Sequence, residues 1–173
     1  MFFKKKCPSC GTTNPRDAKT CASCGASFEL KQAESRVENP EATKDYDEVI
    51  RLNPQSAEAY YERGLEYQKR GQEEQAIDDF DKAIRIDSQF AKAYRNRGYA
   101  YLNTKQYDLA IADNTRATNF DPKDTVARLN LGVAYKLQGN KAEAIANFEK
   151  VINLSENPQV VEMARQEIKE LSK

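Results

Sequence analysis

The feature that most constrains this chain is a 34-residue period. Gly64, Gly98 and Gly132 stand 34 apart, as do Tyr67, Tyr101 and Tyr135, and again Ala76, Ala110 and Ala144. Looser matches fall on the same register: Tyr60, Tyr94 and Arg128; Phe80, Asn114 and Phe148; Ala83, Ala117 and Val151. The segment ends carry Ser88, Pro122 and Glu156, so proline marks only the middle one. An ordinary helical bundle has no need of a fixed interval, whereas stacked hairpins do. Within a period apolar residues recur at helical spacing, as in Ala76, Ile77, Phe80, Ala83 and Ile84. Gly71 and Gly139 separate the two helical runs as C-terminal caps, and Lys105 takes that place in the middle unit. Small residues at the glycine and alanine marks let two helices cross closely, with aromatics filling the space beside them. Each unit is therefore a helix–turn–helix hairpin that buries its apolar face only against neighbours.

This period and residue pattern resemble the tetratricopeptide repeat family over roughly 40–173. Three full units fit, at 57–90, 91–124 and 125–158. The stretch 40–56 resembles the second helix of a preceding half-repeat, with Ala42, Tyr46, Val49 and Pro54 in the matching places. Asn39-Pro40-Glu41 reads as its start: N-cap, first-turn proline and first-turn acid. At 159–173, Val160, Val161, Met163, Ala164, Ile168 and Leu171 make an amphipathic capping helix. The resemblance implies an all-α, right-handed solenoid of helical hairpins. Residues 30–39 read as a polar linker, a partly helical tether.

All four cysteines fall in the first 24 residues, as Cys7-Pro8-Ser9-Cys10-Gly11 and Cys21-Ala22-Ser23-Cys24-Gly25. Each CxxC aims two thiolates at one ion from a tight turn, and the following glycine accepts the positive φ such a turn needs. Four thiolates close a tetrahedron with no open position, which suits one structural Zn2+; iron suits the same cage. Two disulfides or four free thiols are the plainer alternative; disulfides are disfavoured in a reducing compartment, and no thioredoxin-like βαβ pattern accompanies the CxxC pairs. Within a ribbon module of residues 1–29, about 4–29 resemble the short zinc ribbons found at the ends of many bacterial proteins, with Asn14-Pro15, Ala18-Lys19 and Phe28 in keeping. Such a module is too small to fold on apolar burial alone, so the metal supplies its folding energy.

Composition excludes several classes. Lys+Arg and Asp+Glu are both 27, so no net field draws the chain to nucleic acid or an anionic membrane. Apolar runs are only a few residues long, too short for a membrane span, and Met1-Phe2-Phe3-Lys4-Lys5-Lys6 has the wrong order for a secretory signal. We therefore expect a cytoplasmic protein. Histidine is absent, which removes the commonest general base and argues against an enzyme. Asp78, Asp79 and Asp81 resemble paired catalytic acids, but on a repeat helix they read more simply as a solvated outer face.

In this family the first helix of each unit lines the concave side. The resemblance carries Glu58, Tyr61, Glu62 and Leu65 of the first unit onto that groove. From the second come Lys92, Arg95, Asn96, Tyr99 and Asn103, and from the third Val126, Leu129, Asn130, Val133 and Lys136. The partner-binding set expected from these is Tyr61, Leu65, Lys92, Arg95, Asn96, Tyr99, Asn130 and Val133. Asparagine at positions 96 and 130 can hold a peptide backbone through donor and acceptor together. Some relatives clamp the acidic tails of chaperones; the five clamp places here hold Tyr61, Leu65, Asn96, Val126 and Asn130, and only Asn96 keeps the pattern. The leading expectation is a non-enzymatic adaptor that holds a protein or peptide segment, with the ribbon as a second docking module. Two alternatives stay open. One is a nucleic-acid-associated factor, although no aromatic lies among the basic residues between the knuckles to stack a base. The other is an iron electron carrier. The sequence leaves the oligomeric state open.

Overall fold

The computed structural model describes residues 4–6, 12–15, 23 and 40–173. The four cysteines, the Asn39 cap and the linker lie outside the described residues. The chain divides into two compact units, Met1–Pro40 and Glu41–Lys173. In the first, β1 (Lys4–Lys6) pairs antiparallel with β2 (Thr13–Pro15), Lys5 opposite Asn14.

The second unit holds eight helices among the described residues. They are α1 (Pro40–Leu52), α2 (Ala57–Lys69), α3 (Glu73–Ile86), α4 (Ala91–Asn103), α5 (Tyr107–Phe120), α6 (Thr125–Leu137), α7 (Lys141–Leu154) and α8 (Pro158–Leu171). The pairs α2–α3, α4–α5 and α6–α7 are the hairpins, and each second helix packs on the first helix of the next pair. First helices also touch one another directly, α2 with α4 and α4 with α6, so they share one face of the array.

Local sequence explains the boundaries. Ser56, Asp124 and Asn157 cap α2, α6 and α8 by accepting from the N–H of Ala59, Ala127 and Gln159. Inside each hairpin the turn residue has positive φ: 71° at Gly71, 61° at Lys105 and 83° at Gly139. The next residue's N–H then returns to a carbonyl of the first helix, Gln72 to Tyr67, Gln106 to Tyr101 and Asn140 to Tyr135.

The hairpins close over very small residues. Phe80 and Phe148 are fully buried, and a Cβ on Gly64 would come within 2.7 Å of the Phe80 ring. The middle unit solves the same crossing differently. Asn114, also fully buried, lies against Gly98; its Nδ2 donates to the Ala110 carbonyl at 2.8 Å, and its Oδ1 accepts from Asn130 Nδ2 at 3.2 Å. One apolar cluster runs through α2–α6 around Phe80 and Tyr94, and a second joins α7 to α8 around Phe148, Val151 and Ala164.

A ladder of ion pairs ties the units together. Arg63 forks onto Asp79 of its own hairpin, both contacts at 2.7 Å, and its other end reaches Asp47 of α1. Arg97 repeats this 34 residues on, with Asp113 at 2.7 and 2.9 Å and Asp81 of the preceding hairpin at 2.8 Å. Each guanidinium also lies near two tyrosine rings, Tyr60 and Tyr67 or Tyr94 and Tyr101, at cation–π distance. This corrects the reading of the acidic run on α3 as solvated: Asp78 is exposed, but Asp79 is 5% exposed and Asp81 bridges to Arg97. A carboxylate so placed must be paired, because burying it alone is costly.

α1 is the loosest helix of the array. Tyr46 and Ile50 are half-buried, whereas Val49 and Leu52, at 45% and 69%, stay exposed.

Candidate functional site

The shared face of α2, α4 and α6 carries the residues that the family pattern assigns to ligand. Tyr61, on α2, is 5% exposed; its ring lies 4.9 Å from Phe90 and 5.9 Å from Phe80, centroid to centroid. Its hydroxyl accepts from Asn96 Nδ2 at 2.9 Å. Burial raises the Tyr61 phenol above its ordinary range. Gln68 Nε2 donates to the Asn96 backbone carbonyl at 3.3 Å, so Asn96 is held from two sides by α2. Its own carboxamide oxygen has no protein partner among the described residues.

The remaining positions divide sharply. Lys92 and Tyr99 on α4 are exposed, Tyr99 at 43%, and Leu65 on α2 is half-buried against the first apolar cluster. Glu58 and Val126 are exposed and Glu62 half-buried. Arg95 Nη1 donates to Asp124 at 3.0 Å while the other Asp124 oxygen caps α6, so this arginine holds the start of the next unit. Its Nε is buried with no acceptor among the described residues. Asn103 donates to Glu73 at 2.6 Å. Asn130 is 6% exposed and gives its amide to Asn114, inside the core. Leu129 and Val133 pack on the α7–α8 cluster. Lys136 pairs with Glu167 and Glu170 of α8, and the Glu167 bond raises its pKa. Lys92, Asn96 and Tyr99 thus follow one another at helical spacing on α4, the outer two exposed and Asn96 half-buried, while Tyr61, Arg95 and Asn130 are taken up in packing and pairing.

One residue of this site, Asp124, is invisible to the family pattern alone. Asp124 reads as a cap, and its second oxygen's use by Arg95 joins residues 29 apart. The arginine ladder did leave a signal, since Arg63 and Arg97, and Asp79 and Asp113, repeat at the 34-residue period.

In the first unit, β1 and β2 bracket Cys7 and Cys10 in the sequence, and their pairing draws the ends of that stretch together. No group of three or more candidate metal ligands occurs among the described residues, which exclude the cysteines. No described helix is long and apolar enough to cross a membrane.

Family models match along most of the chain. Tetratricopeptide or TPR repeat models cover residues 38–71, 57–90, 80–112 and 126–158, and a zinc-ribbon domain model covers 6–28. The fold is similar to the second TPR domain of human RPAP3, solved with the HSP70 peptide SGPTIEEVD. That match has 31% identity and a TM-score of 0.60, covering 66% of this chain and 92% of that one. It is also similar to the first TPR of Spaghetti (RPAP3) bound to the HSP90 peptide SRMEEVD, with 27% identity, TM-score 0.64, and 69% and 95% covered. MamA 41-end from Desulfovibrio magneticus RS-1 shares the fold at 21% identity and TM-score 0.67, covering 82% of this chain and 88% of that one. No curated protein matches the chain. The repeats, their turn chemistry and these likenesses define a helical-hairpin solenoid. The chain belongs to the tetratricopeptide repeat family and carries an N-terminal zinc-ribbon domain.

Proposed function

We propose that this chain is a non-enzymatic cytoplasmic adaptor whose repeats hold an extended peptide or protein segment along the shared face of the first helices. The observation that carries this reading is the set of Leu65, Lys92, Asn96 and Tyr99. Lys92 and Tyr99 are exposed on α4 with the half-buried Asn96 between them in sequence, Lys92 has no ion pair among the described residues, and Leu65 is half-buried on α2, which touches α4. Tyrosine is among the side chains that most often anchor an interface, and lysine supplies a charge for an acidic ligand group. Two of the similar structures hold peptides ending in EEVD. Here only Asn96 keeps the clamp pattern, so the ligand differs from those tails: an apolar anchor for Tyr99 and Leu65, with an acidic group near Lys92. The zinc ribbon binds one structural Zn2+ through Cys7, Cys10, Cys21 and Cys24 and offers a second docking module.

The test compares proteins retained from a cytoplasmic extract by the intact chain and by a Lys92→Glu, Tyr99→Ala variant. Both side chains are exposed, so unchanged circular dichroism is expected. Loss of a specific band supports the groove reading; the same bands on both sinks it. Asn130→Ala is a poor probe, because it leaves Asn114 Oδ1 without its donor inside the core.

A further inference from the structure

The ladder of ion pairs stops at the third hairpin, and what replaces it leaves a cleft. On the 34-residue register Leu131 stands where Arg63 and Arg97 stand, Asn147 where Asp79 and Asp113 stand, and Thr115 where Asp47 and Asp81 stand. All three line one cleft of about 320 Å³ at α5, α6 and α7, together with Thr118, Arg128 and Lys150. The space that holds a guanidinium in the first two hairpins is thus open to solvent in the third.

Its charge is inverted. Each complete rung sets two carboxylates around one cation, whereas no acidic side chain lines the cleft and two cations do. Arg128 stands where Tyr60 and Tyr94 flank the arginine in the other hairpins. Its Nη2 reaches only the Pro122 carbonyl, at 3.3 Å, and its Nε is buried with no acceptor among the described residues. Lys150 is exposed and forms no ion pair among them. Asn147, 9% exposed, spends one amide hydrogen on the Glu143 carbonyl at 2.9 Å, and the second remains. Burying an arginine N–H without an acceptor is unfavourable unless a ligand or water completes it.

We propose that this cleft is an oxyanion-binding site that takes a carboxylate or phosphate group between Arg128 and Lys150, with Asn147 as a neutral donor. A cation is repelled there, because the two charged side chains lining the cleft are both cationic. The site is separate from the Lys92–Tyr99 patch and stands whether or not that patch binds peptide. The group can arrive as a free small anion or on an acidic protein segment.

Amide-resolved NMR of the full chain at constant chloride tests this. One arm is titrated with inorganic phosphate, the other with a capped tri-glutamate peptide. A saturable response of Thr115, Asn147 and Lys150 in either arm is expected, and the responding arm names the source. An Arg128→Gln, Lys150→Gln variant should weaken it by about tenfold or more. A Thr115→Asp, Leu131→Arg, Asn147→Asp variant, which rebuilds the missing rung with both of its acids, should fold and lose the response. Silence in both arms, or a response unchanged in either variant, overturns the proposal.

Discussion

Lys105 occupies a turn position that both neighbouring hairpins give to glycine, and it keeps their backbone, with φ of 61°. A side chain with a Cβ is strained there, so Lys105→Gly should stabilise the array by about 1 kcal/mol, read as a raised urea midpoint at unchanged slope. Tyr61 and Tyr101 give a second prediction. Burial raises both phenols above their ordinary 10.0, so the folded chain keeps protons that the unfolded chain has already released. Stability should therefore be flat below that value and fall as pH rises through it. Tyr61→Phe should reduce that fall, followed by denaturant melts between neutral pH and the alkaline limb. At this scale the sequence was legible wherever the repeat aligns one residue with its copies, which is why the Gly71, Lys105 and Gly139 turns are readable in advance. It was not legible for Asn130. The family pattern aims that position at a ligand, and only the Asn114 substitution one hairpin back turns its amide into the core.

Between elements the ladder is the main discrimination. Asp79 is buried against Arg63, so Asp79→Asn should destabilise the array by about 3 kcal/mol, because the guanidinium keeps only its outer partner. The third hairpin shows how the chain manages without the pair. Importing that solution, Arg63→Leu with Asp79→Asn and Asp47→Thr, should recover much of the loss, since no buried charge is left alone. A thermal-melt comparison of single and triple variants decides it; a triple variant no better than the single would show that apolar packing cannot replace the pairs. Helix positions were legible because period and hydrophobic spacing agree. The pairs were not legible, because an acid-rich stretch such as Asp78–Asp81 reads as solvated until the facing helix is known.

For the whole molecule, the two compact units depend on different forces. The array buries Phe80, Tyr94 and Phe148, whereas the first unit has a two-stranded hairpin and four cysteines within a short length. Zinc removal by a strong chelator should therefore collapse the amide dispersion of Lys4–Lys6, with mass spectrometry of the native protein reporting one Zn2+ lost. Persistence of that dispersion in metal-free protein would contradict the ribbon reading. The ladder also has a direction. Each arginine needs an acid from the hairpin before it: Asp47 serves Arg63, Asp81 serves Arg97, and Thr115 meets the uncharged Leu131. A tandem copy of 57–90 would thus find its own Asp81 waiting at the new junction. A tandem copy of 91–124 would bring Arg97 up against Thr115, one acid short. Growth of this chain by duplication is open at its first hairpin and obstructed at its second, a polarity that recombination or an engineer lengthening the array would meet at once.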